Sequence, residues 1–101
     1  MRILLFFDLP TLTIANKRNY THFRKTLIKN GFFMMQESVY CKIALNMTNV
    51  NTIMRILEEN KPDEGFIQIL VITEKQFEKM ITLLGDFETE TLNTDERLVI
   101  L

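Results

Sequence analysis

The spacing of apolar residues alternates between strand and helix periods from one end of this chain to the other, and that alternation leaves few folds open. Residues 3–7 form an unbroken apolar run of strand length that closes on Asp8. Leu9-Pro10 stops the run, because proline has no amide donor with which to continue a ladder. From about Thr13 to Asn30 the apolar positions Tyr20, Phe23 and Leu27 fall at i, i+3 and i+7, the spacing of one helix face. Thr13 is placed to cap this helix at its start, and Gly31 stands where a C′ residue belongs. Residues 32–36 and 38–45 return to strand patterns and read as a hairpin. The second strand sets Val39, Cys41, Ile43 and Leu45 on one face and Ser38, Tyr40, Lys42 and Ala44 on the other. After a polar break at residues 46–49, Val50, Ile53, Met54 and Leu57 resume helical spacing until Asn60-Lys61-Pro62 ends it. Residues 66–72 close the series as an almost wholly apolar strand, the pattern of a position buried within a sheet.

The order β-α-β-β-α-β predicts an α+β, ferredoxin-like domain: a split βαβ unit with four antiparallel strands and both helices on one face. A length of 101 residues suits one core, so residues 1–84 read as that domain with a short extension. The extension comprises a helical piece at 74–79 and an apolar segment at 80–84. Residues 85–101 form a tail with an acidic turn through Glu90 and a last apolar run at 98–101. Apolar segments at a terminus need a partner, and the expected one is the sheet edge of a second copy, reached by a C-terminal strand extension across a dimer. An apolar content of 47% is enough to fill a small core and to cover such an interface.

Composition narrows the function classes. Cys41 is the single cysteine, so it has no disulfide partner and no cysteine-rich metal site to join; it reads as a small buried hydrophobe. The N-terminal apolar run is too short for a signal peptide or a membrane span, which predicts a cytoplasmic protein with no membrane partner. Net charge is −1, yet the charge is unevenly spread. Residues 1–56 hold eight Lys and Arg against Asp8 and Glu37, net +6, whereas residues 57–101 hold four bases and eleven acids, net −7. That division can give one face a positive potential on a nearly neutral chain, or it can reflect ordinary solvated helix faces.

The first helix concentrates the positive charge. Arg18, Lys25 and Lys29 share a stripe at i, i+7 and i+11, Lys17 and Arg24 form a neighbouring stripe, and no acid lies between positions 9 and 36. A two-fold dimer would duplicate this surface and let it follow a duplex backbone without reading bases. Arg2, Lys42 and Arg55 are expected to be solvated or ion-paired instead. His22, the only histidine, has no acid close in sequence and reads as solvent-facing or partly packed rather than as a base. Met34-Met35 reads as packing filler. Asp8 is the sharpest single residue: a carboxylate ending an apolar strand caps a turn, joins a salt bridge or binds a metal.

Three segments taken in order resemble a known family: Ile-Leu-Leu-Phe-Phe-Asp8, then Lys17-Arg18-Asn-Tyr-Thr-His-Phe23-Arg24-Lys25-Thr-Leu27, then Gly31 followed by Gln36-Glu-Ser38-Val39-Tyr40. They are similar to the second CRISPR adaptation protein, the Cas-two family, over nearly the whole chain. The tail over residues 92–101 looks like the form found in type II-A systems. The resemblance implies a homodimer in which Asp8 of each subunit approaches the axis, where two acids can share Mg²⁺. It implies a role in spacer acquisition, as a scaffold that binds double-stranded prespacer DNA and bridges dimers of the Cas-one integrase. It also implies an alternative, a metal-dependent endonuclease acting on RNA or DNA with Asp8 as the catalytic residue.

Overall fold

In a computed structural model that describes residues 1–85, β1 (Arg2–Asp8) runs through the middle of a four-stranded sheet. Around it come α1 (Ile14–Lys29), β2 (Phe33–Gln36), β3 (Val39–Ile43), α2 (Met47–Asn60), β4 (Phe66–Ile72) and α3 (Glu74–Glu78). The strand order is β2-β3-β1-β4 and each neighbouring pair is antiparallel. This is the α+β ferredoxin-like arrangement predicted from the hydrophobic periods. No helix among the described residues is long and apolar enough to cross a membrane.

Local chemistry sets the boundaries. Thr13 caps α1: its hydroxyl accepts from the Asn16 amide at 3.0 Å, while the Asn16 side chain accepts from the Thr13 amide at 3.2 Å. Gly31 follows the last turn with φ +93, a conformation that costs glycine little. The α2 start differs from expectation. Residues 46–49 are not a break but the cap and first turn, because the Asn46 side chain accepts from the Asn49 amide at 2.9 Å. Asparagine is weak inside a helix and strong at its start for the same reason, a side chain that competes for nearby backbone donors.

Alternation along β1 builds the core. Ile3, Leu5 and Phe7 face the helices and meet Phe23 and Leu27 of α1 and Val50, Ile53 and Leu57 of α2. Phe7 stands at the centre of an aromatic group, stacked on Tyr40 at 5.7 Å and met edge-on by Tyr20 and Phe23 at 5.7 and 6.2 Å. The two faces of β3 divide unexpectedly. The face that reads as more polar is turned to the helices, where Tyr40 and Ala44 are 1% and 2% exposed. Val39, Cys41 and Ile43 pair with Phe6, Leu4 and Arg2 on the opposite side.

Among the described residues β4 is a sheet-edge strand, not one buried within the sheet. Its apolar run reflects two apolar faces, and apolarity on both faces carries no information about whether the ladder continues beyond the strand's edge. Ile67, Ile69 and Val71 pack on the helix-side core, whereas Phe66 and Leu70 lie exposed on the other face. Met80, Ile81, Leu83 and Leu84 are exposed and belong to no strand. The expected tail at 85–101, with its strand extension and pairing across a dimer, lies outside the described residues apart from Gly85.

Gly65 fixes the approach of β4 to the end of β1. Its φ is +116, and a Cβ there would stand 2.5 Å from Leu9 Cδ2 and 3.0 Å from the Asp8 carbonyl oxygen. Gly65→Ala is therefore expected to destabilise the chain by about 1–3 kcal/mol. Urea unfolding checks this as a lowered midpoint at unchanged m.

Candidate functional site

α1 carries its cations on its exposed side, with Arg24 at the margin nearest the sheet. Phe23, Thr26 and Leu27 are its buried residues, and Lys17, Arg18, Arg24, Lys25 and Lys29 are all exposed. The structure thus brings the five α1 cations onto one helix surface that contains no acid. Lys17, Arg18 and Lys25 line a shallow depression together with Ile14, Thr21 and His22. Lys29 sits in the last turn, where its charge also complements the helix dipole. Arg24 reaches the sheet: its Nε donates to the Tyr40 hydroxyl at 3.1 Å. His22 is exposed and also borders a second depression with Glu59, Lys61 and Asp63.

Asp8 ends β1 on the face opposite the helices, paired in the ladder with Phe66. It is exposed, and among the described residues its carboxylate enters no ion pair or side-chain hydrogen bond. No group of three or more His, Cys, Asp or Glu among the described residues is arranged to hold a metal. Mg²⁺ keeps several waters and takes one or two carboxylates from a protein, so Asp8 could supply a single ligand to such an ion and no more.

Around Asp8 the helix-free sheet face is apolar. Phe6, Phe33, Ile43, Phe66 and Leu70 lie on it between 37% and 61% exposed, with Gln68 among them. The periodicity contained a signal for this face in β4, apolar on both sides, and in Val39, Cys41 and Ile43.

The other end of that face is covered by α3. Arg2 Nε donates to Glu74 Oε2 at 2.8 Å, its Cζ lies 4.0 Å from the Phe77 ring centroid, and its Nη1 approaches Cys41 Sγ at 3.7 Å. Arg2 is thus ion-paired, as the sequence suggested, and takes no part in the cationic surface. The Glu74 bond raises the Arg2 pKa, and the same bond lowers that of Glu74. Burial pushes the Cys41 thiol up. Lys42 lies beside the chain at Gly31, where a Cβ would come within 2.8 Å of its Nζ. Arg55 is exposed on α2.

A four-stranded sheet with a largely open apolar face, a lone carboxylate at its rim and a cationic helix on the other layer defines a small α+β protein of ferredoxin-like fold. Residues 1–80 match the family model described as CRISPR associated protein Cas2. The chain is 54% identical over 101 residues to a CRISPR-associated endoribonuclease Cas2 of Treponema denticola, covering all of both chains. It is 46% identical to the protein of the same name in Streptococcus mutans, covering 100% of this chain and 93% of that one. The crystal structure of Streptococcus pyogenes Cas2 shares the fold, with a TM-score of 0.60 at 21% identity over 84% of this chain and 100% of that chain. The chain belongs to the CRISPR-associated Cas2 family.

The Arg2–Glu74 pair gives α3 an acid-side pH dependence. Glu74 is held below its ordinary 4.5, so its stabilising contribution is full above that value and is lost as pH falls through the lowered native value. Thermal melts across that window are expected to show a steeper loss for the natural chain than for Glu74→Gln, which lacks the titrating group.

Proposed function

We propose that two copies pack through their helix-free sheet faces and that this homodimer serves CRISPR spacer acquisition as a scaffold. The α1 surface of each copy lies along the phosphate backbone of a prespacer duplex. The dimer bridges copies of the Cas-one integrase, which carries out the integration chemistry. One observation carries this reading: an apolar sheet face that α3 covers only at its Arg2 end lies opposite a helix layer whose exposed cations are unopposed by acid along α1. Burial of the first face by a second copy is isologous, so both α1 surfaces remain outside and are related by the two-fold axis. Phosphate contacts from Lys and Arg hold a duplex without reading its sequence, which is what a binder of varied spacers requires.

A second reading is favoured by the name of the relatives, endoribonuclease, and by the place of Asp8 on the same open face. Face-to-face packing brings Asp8 of each copy toward the other, and the two carboxylates would hold Mg²⁺. A bound Mg²⁺ supplies an activated water for phosphodiester hydrolysis. Both readings share the dimer and differ in whether Asp8 is chemically required.

Reversal of charge with Arg18→Glu and Lys25→Glu is expected to weaken duplex binding at low salt and to flatten its salt dependence by about 0.9 per lost phosphate contact. Unchanged binding across the titration refutes the α1 surface as the duplex site. Integration of a short duplex by the partner integrase, with Asp8→Asn supplied as a folded dimer, separates the two readings. Surviving integration supports the scaffold, and its loss from an intact assembly returns the chemistry to Asp8.

A further inference from the structure

Arg24 is set apart from the other α1 cations because one end of its guanidinium is already held. Its Nε donates to the Tyr40 hydroxyl at 3.1 Å, and among the described residues Lys17, Arg18, Lys25 and Lys29 have no comparable partner. Tyr40 is itself buried in the packing. Its ring is 1% exposed, lies on β3 opposite Leu5, and stacks on Phe7 with 25° between the planes. Phe7 is clamped in turn by Tyr20 and Phe23 of α1, the helix that carries Arg24. A hydroxyl anchored in the aromatic core therefore reaches the flank of an exposed cationic helix.

The chemistry of the bond favours phosphate. An arginine whose Nε is occupied keeps its Nη groups as a planar fork that matches two oxygens of one phosphate. A long side chain normally loses rotamer freedom when it binds, and a pre-held guanidinium has already lost part of it. The neighbouring lysines contribute mobile charge, which attracts a duplex without fixing where each phosphate sits.

We infer that Tyr40 is a positioning residue for duplex DNA: it holds Arg24 as a preorganised phosphate fork at the margin of the α1 surface. The inference rests on the assignment of α1 as the duplex-binding surface. It distinguishes Arg24 as a register contact and leaves Lys17, Arg18, Lys25 and Lys29 as the source of general attraction.

The test is a salt titration of binding to a short blunt duplex by the full-length chain, with folding of each variant checked by circular dichroism. Arg24→Gln is expected to weaken binding and to lower the salt slope by about 0.9 for each Arg24 in contact. Tyr40→Phe keeps every charge, and is expected to weaken binding about three- to tenfold at an unchanged slope. Arg24→Lys, which keeps the charge and loses the fork, is expected to do the same. Tyr40→Phe placed on the Arg24→Gln background should cost nothing further. Natural affinity in Tyr40→Phe, or losses that add in the double variant, overturns the positioning role. Should Tyr40→Phe fail to fold, Arg24→Lys decides, and natural affinity in it overturns the role equally. The Arg18→Glu, Lys25→Glu variant in the same titration identifies which idea has failed. If it loses binding while Tyr40→Phe does not, only the positioning role falls; if both bind as the natural chain does, the α1 assignment falls with it.

Discussion

β1 is hydrogen-bonded on both sides, and the pairing of Leu4 with Cys41 and with Leu70 fixes which of its side chains meet the helices. Side chains alternate along a strand, so a slip of one residue would move Ile3, Leu5 and Phe7 out of the core and turn Leu4, Phe6 and Asp8 into it. An ionised carboxylate beneath two helices would be expensive, and three large apolar groups would be lost from the interior. That single register therefore determines the core, the apolar open face and the position of Asp8 together. Phe7 secures it, because the ring lies between aromatic groups contributed by β3 and by α1.

The periods of the sequence contained the element order, the two helices on one side and the caps at Thr13 and Gly31, because each depends on residues a few positions apart. Residues 46–49 misled because an asparagine-rich stretch looks the same whether it interrupts a helix or begins one. β4 misled for a different reason: a strand's sequence records what covers its faces and leaves no trace of what lies beside its edges. Of the candidate site, the five α1 cations were legible as a set, since helical spacing alone places them on one surface. Their division was not. The bond from Arg24 to Tyr40 joins residues 16 apart through a strand pairing that spacing cannot supply. Asp8 was visible as a residue out of place at the end of an apolar strand, while its exposure beside Phe6 and Phe66 depends on the sheet order.

Charge and apolarity are separated by layer. The helix layer presents lysine and arginine on α1 and gathers acids at the far end of α2, where Glu59 and Asp63 border a depression with His22. The Asn16 side chain donates to Glu64 at 3.0 Å and ties the acidic loop to the first turn of α1. The sheet layer is uncharged over much of its open face, with Arg2 withdrawn under Glu74 and Phe77 at one end. A near-neutral total thus hides two surfaces of different character, one cationic and one apolar.

The outer edge of β4, unpaired among the described residues, is bounded at both ends. Gly65 turns the chain sharply before Phe66, and Thr73 starts a capped helix directly after Ile72. A strand laid beside that edge can be matched over only the seven residues of β4, a length of about 23 Å. The edge therefore presents a ladder of fixed span: a segment laid beside it could pair over seven residues at most, with the turn at Gly65 and the capped start of α3 at Thr73 marking where that pairing would stop.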